Sequence, residues 1–414
     1  MSEAAATYGA RIMARCAALR QISETPEAYC RRYLTPEHRA ALDLLGVWMH
    51  DAGLAVREDA AGNLIGRREG LEPDAPVLIV GSHQDTVRDA GAYDGMLGVL
   101  AGIEVAQALH DADRSTRHAL EIYAFGDEEG ARFAAAYLGS RALAGTRRPE
   151  DLALRDDDGV TLAEAMRAFG LDPLRLSAAT RDPATVVGYL EAHIEQGPVL
   201  DALDLPVGVV TAINGQSRLA VQVTGMAGHA GTVPMELRQD ALTGAVAMIR
   251  SIEDIARAGD HLVATVGRIE ALPGAINVIP GTVRFSVDVR APADAARLQA
   301  LATIRESVQR IADERRLQVQ IELTHDHAAI SLDATLGDAL ARACAQITGW
   351  PARRLASGAG HDAAAMSALC PCAMLFVRCE GGISHHPNES ITADDADIAV
   401  RVLLATVLDL DDRR

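Results

Sequence analysis

The chain alternates short apolar runs of strand length with longer stretches in which apolar residues recur every three or four positions, a pattern that predicts an α/β protein. The run Val77-Leu78-Ile79-Val80 turns at Gly81 into Ser82-His83-Gln84-Asp85-Thr86-Val87. A loop ending at Tyr93-Asp94-Gly95 follows, and residues 96–109 read as a buried helix. A buried strand that empties into a loop carrying His and Asp, with a helix behind it, is how open α/β sheets place ligands at strand C-termini. The same arrangement recurs three times. Residues 119–125 lead into Gly126-Asp127-Glu128-Glu129-Gly130, residues 186–190 into Glu191-Ala192-His193-Ile194-Glu195-Gln196-Gly197, and residues 373–377 into Gly381-Gly382-Ile383-Ser384-His385-His386-Pro387. Upstream, residues 10–22 and 36–52 read as helices, the second with Thr35-Pro36 as N-cap and first-turn pair. Residues 54–67 read as a hairpin turning at Ala61-Gly62-Asn63.

Between the third and fourth units the rhythm changes. Strands are expected at 219–223, 262–269, 283–289 and 317–323, and helices at 237–258 and 293–315. This β-α-β-β-α-β order is that of a ferredoxin-like unit. The expected architecture is therefore a mixed-sheet α/β domain, residues 1–213 and 329–414, with an inserted ferredoxin-like domain at 214–328, hinged near Asn214 and Ala328. A lone sheet of this kind pairs edge to edge with its copy, so a homodimer is expected.

The four strand ends deliver His83 and Asp94, then Glu129, then His193, then His385: three imidazoles and two carboxylates, all metal-ligating types. Adjacent buried carboxylates such as Glu128 and Glu129 repel, and need a cation or a proton between them. Asp85, two residues from His83, is placed to orient that ring. In the insert, His229 sits in a glycine-rich turn, Asn277 lies between two proline-containing turns, and Arg290 ends an apolar strand. Each has a plain structural reading, though the Arg290 fork also suits a carboxylate. In Ser357-Gly358-Ala359-Gly360-His361-Asp362 the glycines imply close backbone approach, and the segment opens a helix whose N–H groups favour an anion. His38, His50, His110, His118, His261, His325 and His327 lack such surroundings and read as surface or structural.

A chain of 414 residues exceeds one typical core, which agrees with two domains. Its 57 acidic against 39 basic residues, net −18, argue against nucleic acid or an anionic membrane as partner. A local arginine still permits an anionic substrate. No apolar run reaches transmembrane length and no signal-peptide pattern is seen. The six cysteines lack zinc-ribbon or redox spacing, so buried free thiols in a cytoplasmic protein are expected.

The ordered motifs G-S-H-Q-D-T-V, Y-D-G, D-E-E-G-A-R-F, H-I-E-Q-G, G-H-A-G-T-V-P-M, N-V-I-P-G, S-G-A-G-H-D-A and G-I-S-H-H-P span nearly the whole chain. In them it resembles the hydantoinase/carbamoylase-type amidases: dinuclear-metal M20-type hydrolases that include allantoate amidohydrolases, N-carbamoyl-L-amino-acid hydrolases and β-ureidopropionases. The resemblance implies that residues 1–213 and 329–414 form a metallohydrolase catalytic domain, that 214–328 is its lid and dimerisation domain, and that each subunit holds two divalent ions (Zn, Mn, Co or Ni). His83 and His193 would hold one, Glu129 and His385 the other, and Asp94 would bridge. It implies Glu128 as general base, Asp85 as the partner of His83, and Gln196, His229, Asn277 and Arg290 as substrate contacts, to which the glycine-rich helix start adds Gly360 and His361. His229 can come from the partner subunit in dimeric relatives. A His at position 193, where the exopeptidase relatives carry a carboxylate, points to ureido cleavage. His386 stands where relatives often have Asn, which makes His385 the ligand of that pair. The implied activity is hydrolysis of the ureido C–N bond of a small carboxylate, allantoate or an N-carbamoyl-L-amino acid. An exopeptidase or aminoacylase, or a catalytically inactive metal-binding homologue, is the alternative.

Overall fold

A computed structural model describes residues 7–412. The chain forms two compact units, one of Met1–Thr211, Leu332–Leu355 and Gly360–Arg414, the other of Ala212–Ser331 with Ala356–Ala359.

The first unit is built on a mixed sheet in the order Ala55–Glu58, Leu64–Arg68, Ala119–Phe125, Val77–His83, Val186–Ile194, Cys372–Val377, Val207–Ile213. The four central strands run parallel, and the strands flanking them are antiparallel. Every residue of Val77–His83 and Ala119–Phe125 is buried, which explains their unbroken apolar runs. Parallel pairing brings the C-terminal ends of the central strands to one edge, and all four motif-bearing segments leave from there. Two strands outrun their expected ends. Val77–His83 continues past Gly81 to pair His83 with Phe125, and Val186–Ile194 continues past Leu190 to pair His193 with Phe376. Glu191 stays in the ladder because Ser82 Oγ (2.9 Å) and Ala363 N (2.9 Å) satisfy its buried carboxylate.

Helix Met96–Asp111 is buried almost all round, packed on the sheet and on helices Tyr8–Arg20 and Ala393–Asp412. Gly98 permits the approach to the sheet, since a Cβ there would lie 2.2 Å from Ala192 O. The one acid of this helix's buried side, Glu104, is fully buried and accepts from Arg11 and from Arg15 (2.8 Å). The hairpin and the Thr35 cap form as expected, Thr35 accepting from His38 N. His38 is structural: its buried Nδ1 accepts from Leu34 N at 2.8 Å.

In the second unit an antiparallel sheet runs Ile269–Leu272, Thr282–Ala291, Gly215–Thr224, Gln318–His327. Leu219, Val221, Val223, Phe285 and Val287 on one face form a core with Met248 and Ile252 of helix Ala241–Ala258 and Ile304 and Val308 of helix Asp294–Glu314. The alternation of buried and open positions along Gly215–Thr224 leaves the other face polar. The expected strand at 262–269 is instead two short strands, Val263–Thr265 and Ile269–Leu272, which pair with opposite ends of Thr282–Ala291. At the break Arg268 N bonds to the Ser286 side chain (3.1 Å), which replaces a ladder bond. No helix among the described residues is long and apolar enough to cross a membrane.

Candidate metal centre

His83 and His193 project from adjacent parallel strands with their Nε2 atoms 3.5 Å apart. Asp94, in the loop before helix Met96–Asp111, sets Oδ1 3.4 Å from His83 Nε2 and 3.1 Å from His193 Nε2. Its Oδ2 lies 3.3 Å from His385 Nε2, which is also 3.5 Å from Glu129 Oε1. One carboxylate thus faces two histidines through one oxygen and a third through the other. His83–Asp94–His193 and Asp94–Glu129–His385 are each close enough to hold one ion, and Glu128 and Glu129 converge with His83 in a third grouping. Glu128 Oε2 is 3.9 Å from His83 Nε2.

The residues present fit divalent cations. Glu129 Oε1 is buried and has no hydrogen-bond partner among the described residues. Burial, with Asp94 beyond it, pushes the Glu129 carboxyl up to about 7. Burial raises Glu128 well above the carboxylate range, and Glu129 and Asp362 add to this. The imidazoles facing Asp94 rise as well. The hydrogen bond to Asp94 raises His385 to about 9. Against burial, bonding to Asp94 and the charges of Glu128 and Asp85 raise His83. Burial opposes the ionisation of Asp94, yet His193, His385 and His83 hold it well below its usual value. Carboxylates that resist ionisation beside histidines that recruit protons mark a site short of positive charge.

The supporting bonds differ from expectation in one respect. His83 Nδ1 is bonded to the Asp85 carbonyl at 3.0 Å, while the Asp85 carboxylate lies farther off at 3.7 Å. That carboxylate instead accepts from Glu128 N (3.1 Å) and Glu129 N (3.3 Å), so Asp85 holds the acidic pair through its main chain. His193 Nδ1 is likewise bonded to a carbonyl, Ile194 O at 2.9 Å, which leaves Nε2 toward the cluster. Gln196 Nε2 donates to Asp94 Oδ2 at 2.8 Å.

His361 and Gly360 are not on an open anion site. The His361 ring is fully buried, edge-on to His193 with centroids 4.5 Å apart, and against Phe376. The helix it precedes, Asp362–Met366, is a single short turn whose Ala363 N is taken by Glu191. The approach implied by Gly360 is to Tyr137: a Cβ there would lie 1.8 Å from its Oη. His386 is exposed, and its Nδ1 accepts from Asn388 N at 3.1 Å. His229, Asn277 and Arg290 belong to the second unit. There the His229–Val278 pairing and an Ala230 N to Asn277 O bond of 3.0 Å make His229 and Asn277 neighbours.

The sequence reading missed Glu389. Its Oε1 accepts from Tyr93 N (2.8 Å) and Asp94 N (3.0 Å), and Ser384 Oγ bonds its Oε2 at 3.1 Å. It therefore ties the Asp94 loop to the His385 turn. An acid four positions after His385 was the only signal available.

Residues 79–409 match Peptidase family M20/M25/M40. The chain belongs to the M20 family. Within it, the chain is 45% identical over 403 residues to an N-carbamoyl-L-amino acid amidohydrolase of Geobacillus stearothermophilus, covering 97% of this chain and 98% of that one. It is 40% identical to an allantoate deiminase of Arabidopsis thaliana, covering 95% and 80%. A solved amidase of the hydantoinase/carbamoylase family from Burkholderia multivorans superposes with TM-score 0.91 at 35% identity, over 98% of each chain. This M20 protein is a hydrolase of the carbamoylase and allantoate amidohydrolase kind.

Proposed function

We propose that the protein hydrolyses the ureido C–N bond of a small carboxylate, allantoate or an N-carbamoyl-L-amino acid. In the balanced reaction R–NH–CO–NH2 and water give R–NH2, carbon dioxide and ammonia. The observation that supports this most is the convergence of His83, Asp94, Glu129, His193 and His385 with an uncommitted carboxylate, Glu128, beside them. Relatives named for both substrates support the reaction class.

A ureido carbonyl is a poor electrophile because two nitrogens donate into it. His83, Asp94 and His193 would hold one divalent ion and Asp94, Glu129 and His385 a second. Bound there, Zn, Mn, Co or Ni supplies a Lewis acid for the carbonyl oxygen and acidifies water. Glu128 takes the proton of the attacking water and passes it to the leaving nitrogen. Burial raises its proton affinity, and a divalent cation held beside it would lower that affinity again. Asp85 fixes Glu128 and Glu129 by their amides, and Gln196 fixes Asp94 and contacts substrate. His229 and Asn277 donate to the developing oxyanion, and Arg290 holds the substrate carboxylate in its fork. The second unit serves as a ferredoxin-like lid, and the protein works as a cytoplasmic homodimer.

The test is ammonia release by metal-reconstituted enzyme on allantoate and on a panel of N-carbamoyl-L-amino acids, with Arg290→Ala alongside. Turnover of either class, with KM raised in Arg290→Ala, is the expected result. No turnover of either by metal-loaded protein would refute the proposal.

A further inference from the structure

Arg290 is held before any substrate arrives. On the polar face of the second unit's sheet, Arg290 lies two residues along its strand from Asp288, and the neighbouring strand sets Gln216 opposite Arg290 and Arg218 opposite Asp288. Arg290 Nε donates to Asp288 Oδ1 at 2.9 Å and Nη2 to Oδ2 at 3.2 Å, a two-point bond. Gln216 Nε2 (2.7 Å) and Arg218 Nε (3.1 Å) also donate to Oδ2, and Arg290 Nη1 donates to Gly358 O at 2.6 Å. A guanidinium has five N–H groups. Three are spent here, leaving one on each terminal nitrogen, which is what a second carboxylate needs for a bidentate bond. Two cations share one anion, so the cluster keeps a net positive charge for an incoming anion. Burial opposes ionisation of Asp288, yet Arg290 and then Arg218 keep its carboxyl below the usual range, so it is ionised near neutral pH.

We propose that Asp288 is a positioning residue that sets selectivity for carboxylate substrates by locking the Arg290 guanidinium with its unspent N–H pair free. The inference rests on the reading of Arg290 as carboxylate anchor. An arginine side chain carries large rotamer entropy, and fixing it beforehand removes a cost that binding would otherwise bear. Asp288 also repels an incoming carboxylate. Its charge is already met by four N–H donors, however, and its side chain is one-quarter exposed, so solvent screens much of that repulsion.

The experiment measures kcat and KM for whichever of allantoate and N-carbamoyl-L-alanine the enzyme turns over, and for its primary carboxamide. Wild type, Asp288→Asn, Asp288→Glu and Arg290→Ala are compared, with thermal unfolding of each. Asp288→Asn, nearly isosteric, is expected to raise KM for the carboxylate about five- to tenfold, the worth of one immobilised long side chain. Its kcat and unfolding midpoint should stay near wild type, its carboxamide KM should be unmoved, and Asp288→Glu should recover part of the loss. A wild-type or lowered KM in Asp288→Asn, alongside a raised KM in Arg290→Ala, overturns this inference alone. An unchanged KM in Arg290→Ala overturns the anchor reading and this inference with it.

Discussion

Gly95 offers the sharpest test of how backbone geometry builds the metal cluster. It caps helix Met96–Asp111 at φ +72° and ψ −47°, a conformation closed to L-residues. A Cβ at this position would lie 2.4 Å from His83 Cε1 and 2.5 Å from Nδ1. Ordinary contact begins at 3.4 Å, so the ring must retreat by about 1 Å. Gly95→Ala therefore carries backbone strain of about 1–3 kcal/mol and overpacking of a similar about 1–3 kcal/mol. Metal sites tolerate ligand displacements of only ~0.2 Å, so zinc affinity should fall at least about tenfold. Gly159→Ala is the control: φ is +79° but nothing lies within 4 Å, so it should lose about 1 kcal/mol of stability and no zinc affinity. Urea unfolding of the metal-free proteins gives the stability, and zinc uptake from a buffered chelator series gives the affinity. If Gly95→Ala matches Gly159→Ala in both measurements, the idea that the glycine seats His83 is wrong.

Other outcomes follow from the same structure. Glu128→Gln should bind metal as wild type does while its turnover falls by orders of magnitude, measured by metal analysis beside ammonia release; retained turnover rules out Glu128 as base. Glu104→Ala leaves two arginines without their buried partner and should cost about 3–5 kcal/mol in urea unfolding; a loss below about 1 kcal/mol would mean that water replaces the pair. All six cysteines are free and buried, so a thiol reagent should label none in the native protein and six in denaturant. Burial raises Cys344 from the ordinary 9.0 to about 12. A folded-state value above the unfolded one stabilises fully below about pH 9, and that contribution is lost as pH rises toward 12. Cys344→Ala should accordingly show a shallower alkaline fall in unfolding free energy, and an unchanged fall would contradict this.

Much was legible without coordinates because it is local. An apolar run followed by glycine, histidine and carboxylate specifies a buried strand and the loop it feeds. The sequence by itself therefore determined that His83, Asp94, Glu129, His193 and His385 lie at the ends of buried strands or in the loops these feed, and which family their motifs belong to. It did not determine which partner each polar group meets. The Asp85 carboxylate serves the amides of Glu128 and Glu129 rather than the nearby His83 ring, and Glu389 reaches back almost three hundred residues to the Asp94 loop. His361, read as an open contact, is buried behind His193, and Asp288, unremarked in the sequence, holds Arg290. Strand order and parallel register decide such meetings. A buried donor or acceptor must be satisfied by whatever the sheet brings within about 3 Å, and sequence spacing carries no record of that neighbour.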